Sequence, residues 1–166
     1  MRSFRRFPVA AALLAAVTLT PLAPAGAAGT ECTFAADIVI SPGVGAAPNT
    51  GSFTTNGPVG SVDCGGSPGT MGFEGNYGTK DPDSCGGAFV NGNEGDGKFA
   101  MNTPAGGELS DAFTFVYGTL SSNGGVVEGS FTSERFSGVF QLAPTAGDCF
   151  SSPITKARIT GQGTLS

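Results

Sequence analysis

This chain contains no histidine, so any chemistry it performs must come from carboxylates, tyrosines, lysines or cysteines. That one absence excludes Ser-His-Asp and Cys-His mechanisms, together with any histidine-ligated metal. The carboxylates that fall close together are Asp81 with Asp83 and Glu94 with Asp96, in stretches rich in Gly, Pro or Asn. They read first as solvated loop acids, because a glycosidase pair needs two acids placed across a cleft. The segment Asn91-Gly92-Asn93-Glu94-Gly95-Asp96-Gly97 alternates oxygen ligands with glycines and invites a calcium reading. It departs from the EF-hand pattern at Gly95 and in the missing Glu further on, which favours a turn or bulge. Gly65-Gly66 and Gly124-Gly125 are turn residues, with no helix following to make a phosphate site. The sequence therefore nominates no catalytic, cofactor-binding or metal-binding residue.

Three basic residues, Arg135, Lys156 and Arg158, cluster late in the chain. On the strands assigned below, Lys156 and Arg158 share a face, and Arg135 lies on the face opposite Phe136. Two adjacent strands would then carry a small basic patch, either an ordinary charged outer face or a surface contact for an anion or acidic partner.

The first 28 residues set the compartment. Arg2, Arg5 and Arg6 precede an apolar run from Val9 to Leu19, then Pro21, Pro24 and the small-residue tract Ala25-Gly26-Ala27-Ala28. This is the build of a secretory signal peptide cleaved near Ala27 or Ala28, with an apolar run too short to span a bilayer. A single domain over 29–166 is expected beyond it. That portion holds all 13 acids and five of the eight bases, for a net charge of −8. Nucleic acid and anionic membranes both reward Lys and Arg, so neither is an expected partner. All four cysteines, Cys32, Cys64, Cys85 and Cys149, also lie there. Export to an oxidising compartment points to two disulfides, and the spacing offers no C-x-x-C zinc knuckle.

The elements that must position these residues are strands. In Phe34 to Ile40, residues 34, 36, 38 and 40 share an apolar face, and Phe113, Phe115 and Tyr117 form another row. Phe136, Gly138, Phe140 and Leu142 alternate with Ser137, Val139 and Gln141 in the same way. That is the period of two expected of strands. Gly or Pro interrupts nearly every ten-residue window, so no helical stripe competes. The expectation is an all-β fold of about eight antiparallel strands, near 32–40, 51–64, 70–79, 86–103, 110–120, 125–132, 134–142 and 154–165. Asn56-Gly57-Pro58 is taken as a bulge within a single second strand, and Asn91 to Gly97 as a bulge within a single fourth.

An up-and-down meander then places Cys32 and Cys64 at one end of the sheet, and Cys85 and Cys149 at the other. Bridged Cα atoms must come within about 7 Å, so the expected pairs are Cys32–Cys64 and Cys85–Cys149. Eight strands also leave the first and last antiparallel, so the sheet can close into a barrel; a β-sandwich is the alternative. A small barrel of this kind is either filled by its own side chains or holds one small ligand. The inward Phe rows favour filling, while the inward Gly75, Gly138 and Gly161 suit either close packing or a pocket.

The last third, from Phe113-Thr114-Phe115-Val116-Tyr117-Gly118 through Pro144-Thr145-Ala146-Gly147-Asp148-Cys149 to Gly161-Gln162-Gly163-Thr164-Leu165, resembles small secreted β-proteins of high-GC Gram-positive bacteria. The resemblance implies export and a disulfide-bridged β fold, and it carries no catalytic motif. An acidic, all-β, four-cysteine chain is also similar to the enediyne-binding apoproteins, whose cysteine pairs, however, lie closer in sequence. The function expected is that of a secreted, non-enzymatic barrel that binds a small apolar ligand or an extracellular protein. An exported enzyme using carboxylate or tyrosine chemistry within the barrel is the alternative.

Overall fold

A computed structural model describes residues 29–55, 59–84, 93–104, 107–118 and 127–166. Among them are nine strands and no helix: β1 (Thr30–Val44), β2 (Gly51–Thr55), β3 (Gly60–Cys64), β4 (Ser67–Tyr77), β5 (Asn93–Thr103), β6 (Gly107–Tyr117), β7 (Val127–Ser133), β8 (Phe136–Ala146) and β9 (Ile154–Leu165). Consecutive strands pair antiparallel from β3 to β9, and β9 returns to β1, with Thr30 opposite Leu165 and Val39 opposite Lys156. The sheet is thus a closed barrel, which leaves no free edge.

Nine strands make eight staves because β2 and β3 share one. Both pair antiparallel with β1 on one side and with β4 on the other. Between Ile38–Thr55 and Ala35–Ser61, β1 advances three residues while its partner advances six. Asn56-Gly57-Pro58 lies outside the described residues, but the pieces on either side run in the same direction, as a bulged single strand requires. The fourth expected strand is continuous over its described part, and its portion 86–92 lies outside the described residues. Two strands outrun their expected ends: β1 passes Pro42 and β8 passes Pro144. Each proline sits within or beside a register shift, where a missing N–H costs little pairing.

Inward and outward positions alternate as the pattern predicted. Outward positions carry residues such as Thr70, Glu74, Lys98, Thr114, Ser137 and Gln162, all exposed. That is the reverse of a barrel whose outer band faces lipid. Inward positions carry the aromatic rows, and the large rings are accommodated by inward glycines directly opposite. Phe53 faces Gly75, Phe115 faces Gly95, Phe113 faces Gly97 and Phe140 faces Gly129. A Cβ added at Gly75 would lie 2.7 Å from the Phe53 ring, and one at Gly97 3.0 Å from that of Phe113. The backbone carbonyls of Asp96 and Glu74 stand closer still, so these glycines are fixed by the neighbouring strand's backbone as well as by the ring.

The lower end of the barrel, where β1 starts and β9 stops, is densely packed. Phe34 meets Phe73, Phe131 and Phe136 with ring centroids 5.6, 5.7 and 6.1 Å apart, and Phe99 meets Phe136 at 5.7 Å. Tilted and edge-on pairs of this kind contribute about 0.5–1.5 kcal/mol each beyond the burial of their area. Cys32 and Cys64 stand directly opposite on β1 and β3 and are bridged within this core, 1% and 6% exposed.

Candidate functional site

The upper end is built differently. It is formed where β1, β4, β6 and β8 finish and β2, β5, β7 and β9 begin, and it contains a cavity of about 90 Å³. Its wall is mostly apolar, with Ile38, Ile40, Phe115, Phe140, Leu142 and Ile154 among the contributors. Against this wall stand five polar residues, Tyr77, Asp83, Ser84, Asn93 and Tyr117. They are delivered by separate pieces of backbone logic.

Asn93 is the first residue of β5 and shares the inward face of Gly95, Gly97 and Phe99, which makes it 2% exposed. Tyr117 is the last residue of β6 and continues the Phe113–Phe115 row, stacked on Phe115 at 5.5 Å and 28°. The two are directly opposite in the β5–β6 register. Neither Asn93 Oδ1 nor the Tyr117 hydroxyl has a hydrogen-bond partner among the described residues, although both atoms are fully buried.

Asp83 reaches the cavity from outside the sheet. Its backbone forms a two-bond bridge with Asn49, N–H to C=O at 2.6 and 2.7 Å. Asn49 donates from Nδ2 to the Gly43 carbonyl at 2.8 Å, and its Oδ1 accepts from the Tyr77 hydroxyl at 3.1 Å. Gly78, at φ +66°, provides the close turn that carries the chain from β4 back to this bridge. Asp83 is 2% exposed, and burial pushes its carboxyl up to about 7. Burial also raises the Tyr77 hydroxyl above its usual range, with the nearby Asp83 charge adding to it. Asp83 has no ion pair among the described residues.

On the same rim, the β8–β9 connection is shaped by Asp148. Its carboxylate accepts from the backbone N–H groups of Phe150, Ser151 and Ser152 at 3.0, 2.8 and 3.2 Å, and from the Ser151 hydroxyl at 2.6 Å. These bonds pull its pKa down to about 2, those from Ser151 contributing most. The loop so formed buries Cys149 and leaves Phe150 60% exposed. Cys149 is disulfide-bonded; Cys85, its expected partner, lies outside the described residues.

The other residues singled out by sequence are dispersed. Of the acid pairs, Asp81 is exposed while Asp83 is buried, Glu94 pairs with Lys80 at 2.9 Å, and Asp96 accepts from Asn76 at 3.0 Å. The described part of the calcium-like segment is strand, and no cluster of three potential acidic or cysteine metal ligands occurs among the described residues. Arg158 pairs with Asp37 on β1 at 3.2 Å. Arg135 turns the other way, donating from Nη2 to the Ser110 carbonyl at 3.3 Å. Lys156 is exposed on β9, opposite Val39 and Ala146. Phe136, next to Arg135, is opposite Leu165, so Arg135 and Lys156 are about 30 Å apart along the strands. The fold does not bring the three basic residues together.

Asn93 was legible in principle from parity, since it shares the inward face of Phe99. Asp83 had no such signal, because a backbone bridge rather than a strand places it. No family model, curated protein or solved structure matches this chain.

Proposed function

We propose that this protein is an exported binding barrel that takes a small, mainly apolar molecule into its upper half, without covalent chemistry. The observation that carries this reading is the cavity of about 90 Å³ lined mainly by the apolar side chains of the closed barrel. Its size is of the order of the dry apolar cavities that accept one benzene-sized molecule, about 150 Å³. Burying the ligand's apolar surface there supplies about 25 cal/mol per Å² removed from water. Export is supported by the basic and apolar start of the chain and by the buried Cys32–Cys64 bridge. The resemblance to small secreted β-proteins points the same way.

The test is a toluene titration followed by the methyl resonances of Ile38, Leu142 and Ile154, with Met101 and Leu109 as lower-end controls. Saturable shifts confined to the upper residues are expected. Absence of saturation, or shifts spread evenly over both ends, would remove the reading.

A second reading rests on Asp83, whose carboxyl, held near neutrality in the cavity, is suited to proton transfer on a bound molecule. An enzyme of this kind would lose turnover in Asp83→Asn while retaining toluene uptake.

A further inference from the structure

We infer that the ligand lies with its apolar end inside and presents to the rim a neutral group that both donates and accepts a hydrogen bond. Such a group is a hydroxyl, a primary amide or a protonated acid, captured between Asn93 Oδ1 and the Tyr117 hydroxyl. The inference rests on the binding reading above and specifies its ligand class.

Asn93 and Tyr117 hold facing positions on neighbouring strands, where side chains start about 4.5–5.5 Å apart. Both point inward at the strand ends nearest the rim, above the apolar wall. A buried polar atom without a partner destabilises the fold by its lost hydration. Two of them side by side in one cavity is a concentration of that cost which a ligand would relieve. The amide oxygen only accepts, so the ligand must donate to it. The tyrosine hydroxyl can accept or donate, and its proton is satisfied only if the ligand also offers an acceptor.

Charge selects further. No lysine or arginine lines the cavity among the described residues, so an anionic head would find no counter-ion. The buried Asp83 carboxyl stands in the same wall and repels an anion whenever it is ionised. A cationic head only donates, so even where the Tyr117 oxygen accepts from it the hydroxyl proton stays unpaired, and of the lining residues only an ionised Asp83 would attract it.

Four probes with one apolar body separate these possibilities: toluene, benzyl alcohol, benzamide and benzoate, titrated into the full protein by NMR at pH 8. Benzyl alcohol and benzamide are expected to bind about tenfold more tightly than toluene, and benzoate at least tenfold more weakly than benzamide. In Tyr117→Phe and in Asn93→Leu, the alcohol's advantage over toluene should shrink to about twofold. Equal binding of toluene and benzyl alcohol to the wild-type protein overturns this inference and leaves the apolar site standing. So does an advantage that survives both substitutions, or benzoate binding as tightly as benzamide. Failure of toluene itself to bind overturns the site and the inference together.

Discussion

The two ends of the barrel are made from the same strands and the same Phe-Gly alternation, yet the cavity lies in the upper one, with Met71, Phe99 and Phe131 of the packed lower end forming its far side. At the lower end Phe34, Phe99, Phe131 and Phe136 interlock with Val62, Met71 and the Cys32–Cys64 bridge, all buried. At the upper end the inward positions pass to Asn93, Tyr117, Val127 and Leu142, and the connection from β4 inserts Asp83 rather than another ring. The lower end thus has the close packing of a core, in which each group has its neighbours. The upper end keeps polar atoms without partners and a carboxyl whose charge is opposed by burial. Such groups cost stability, and they are the ones to which the proposed ligand would bind.

The contrast predicts different mutational costs. Phe136→Ala, in the lower end, should cost about 3–5 kcal/mol, because the ring is 1% exposed and leaves a full cavity. Leu142→Ala should cost only about 2 kcal/mol, since that side chain already borders empty space. Denaturant midpoints of the two variants measure the difference, and equal costs would erase the distinction between the ends.

The pH dependence of stability sharpens the comparison next. Asp83 has a folded pKa of about 7, above the ordinary carboxylate value of 3.8. Its protonated form is therefore the one the fold prefers. The contribution is fully present below about pH 4 and is lost as pH rises to about 7. At 1.36 kcal/mol per unit, the loss is on the order of 4 kcal/mol. Asp83→Asn should flatten the stability profile across this window, as followed by chemical denaturation at pH 4, 5.5 and 7.5. An unchanged profile in the variant would show that Asp83 is not a source of strain at the upper end. Asp148 acts in the opposite sense: its lowered pKa gives a contribution present above about pH 4 and lost as pH falls towards 2.

Overpacking gives a smaller effect with opposite expectations at the two ends. Val62→Phe has no room in the lower core and should cost about 3 kcal/mol. Val127→Phe points into the cavity and should stay within about 1 kcal/mol while blocking toluene uptake. If both substitutions are equally severe, the upper end is not a usable space. Smallest of all, Lys156→Ala on the outer face should change stability by no more than about 0.5 kcal/mol. A larger loss would give that lysine a structural partner that its exposed position does not indicate.

Much of the architecture was legible from period and parity. The alternation in Phe34–Ile40, Phe113–Tyr117 and Phe136–Leu142 set strands and their inward faces, because side chains on a strand must point to opposite sides. Turn residues then divided the chain, and the count of eight staves made closure and the Cys32–Cys64 pairing follow. The bulged second stave was also legible, since a hairpin there would have put the two cysteines at opposite ends.

Tertiary structure alone decided the site. Asp81 and Asp83 are indistinguishable by sequence, two acids flanking a proline, yet the backbone bridge to Asn49 buries one and leaves the other in water. Lys156 and Arg158 stay together on one face of β9, but Arg135 is separated from them, because antiparallel register sends Arg135 to the lower end and Lys156 to the upper. The hollow itself depends on which inward side chains from eight staves meet at one level. Sequence periodicity determines the face on which a residue lies; register and closure determine what stands across from it.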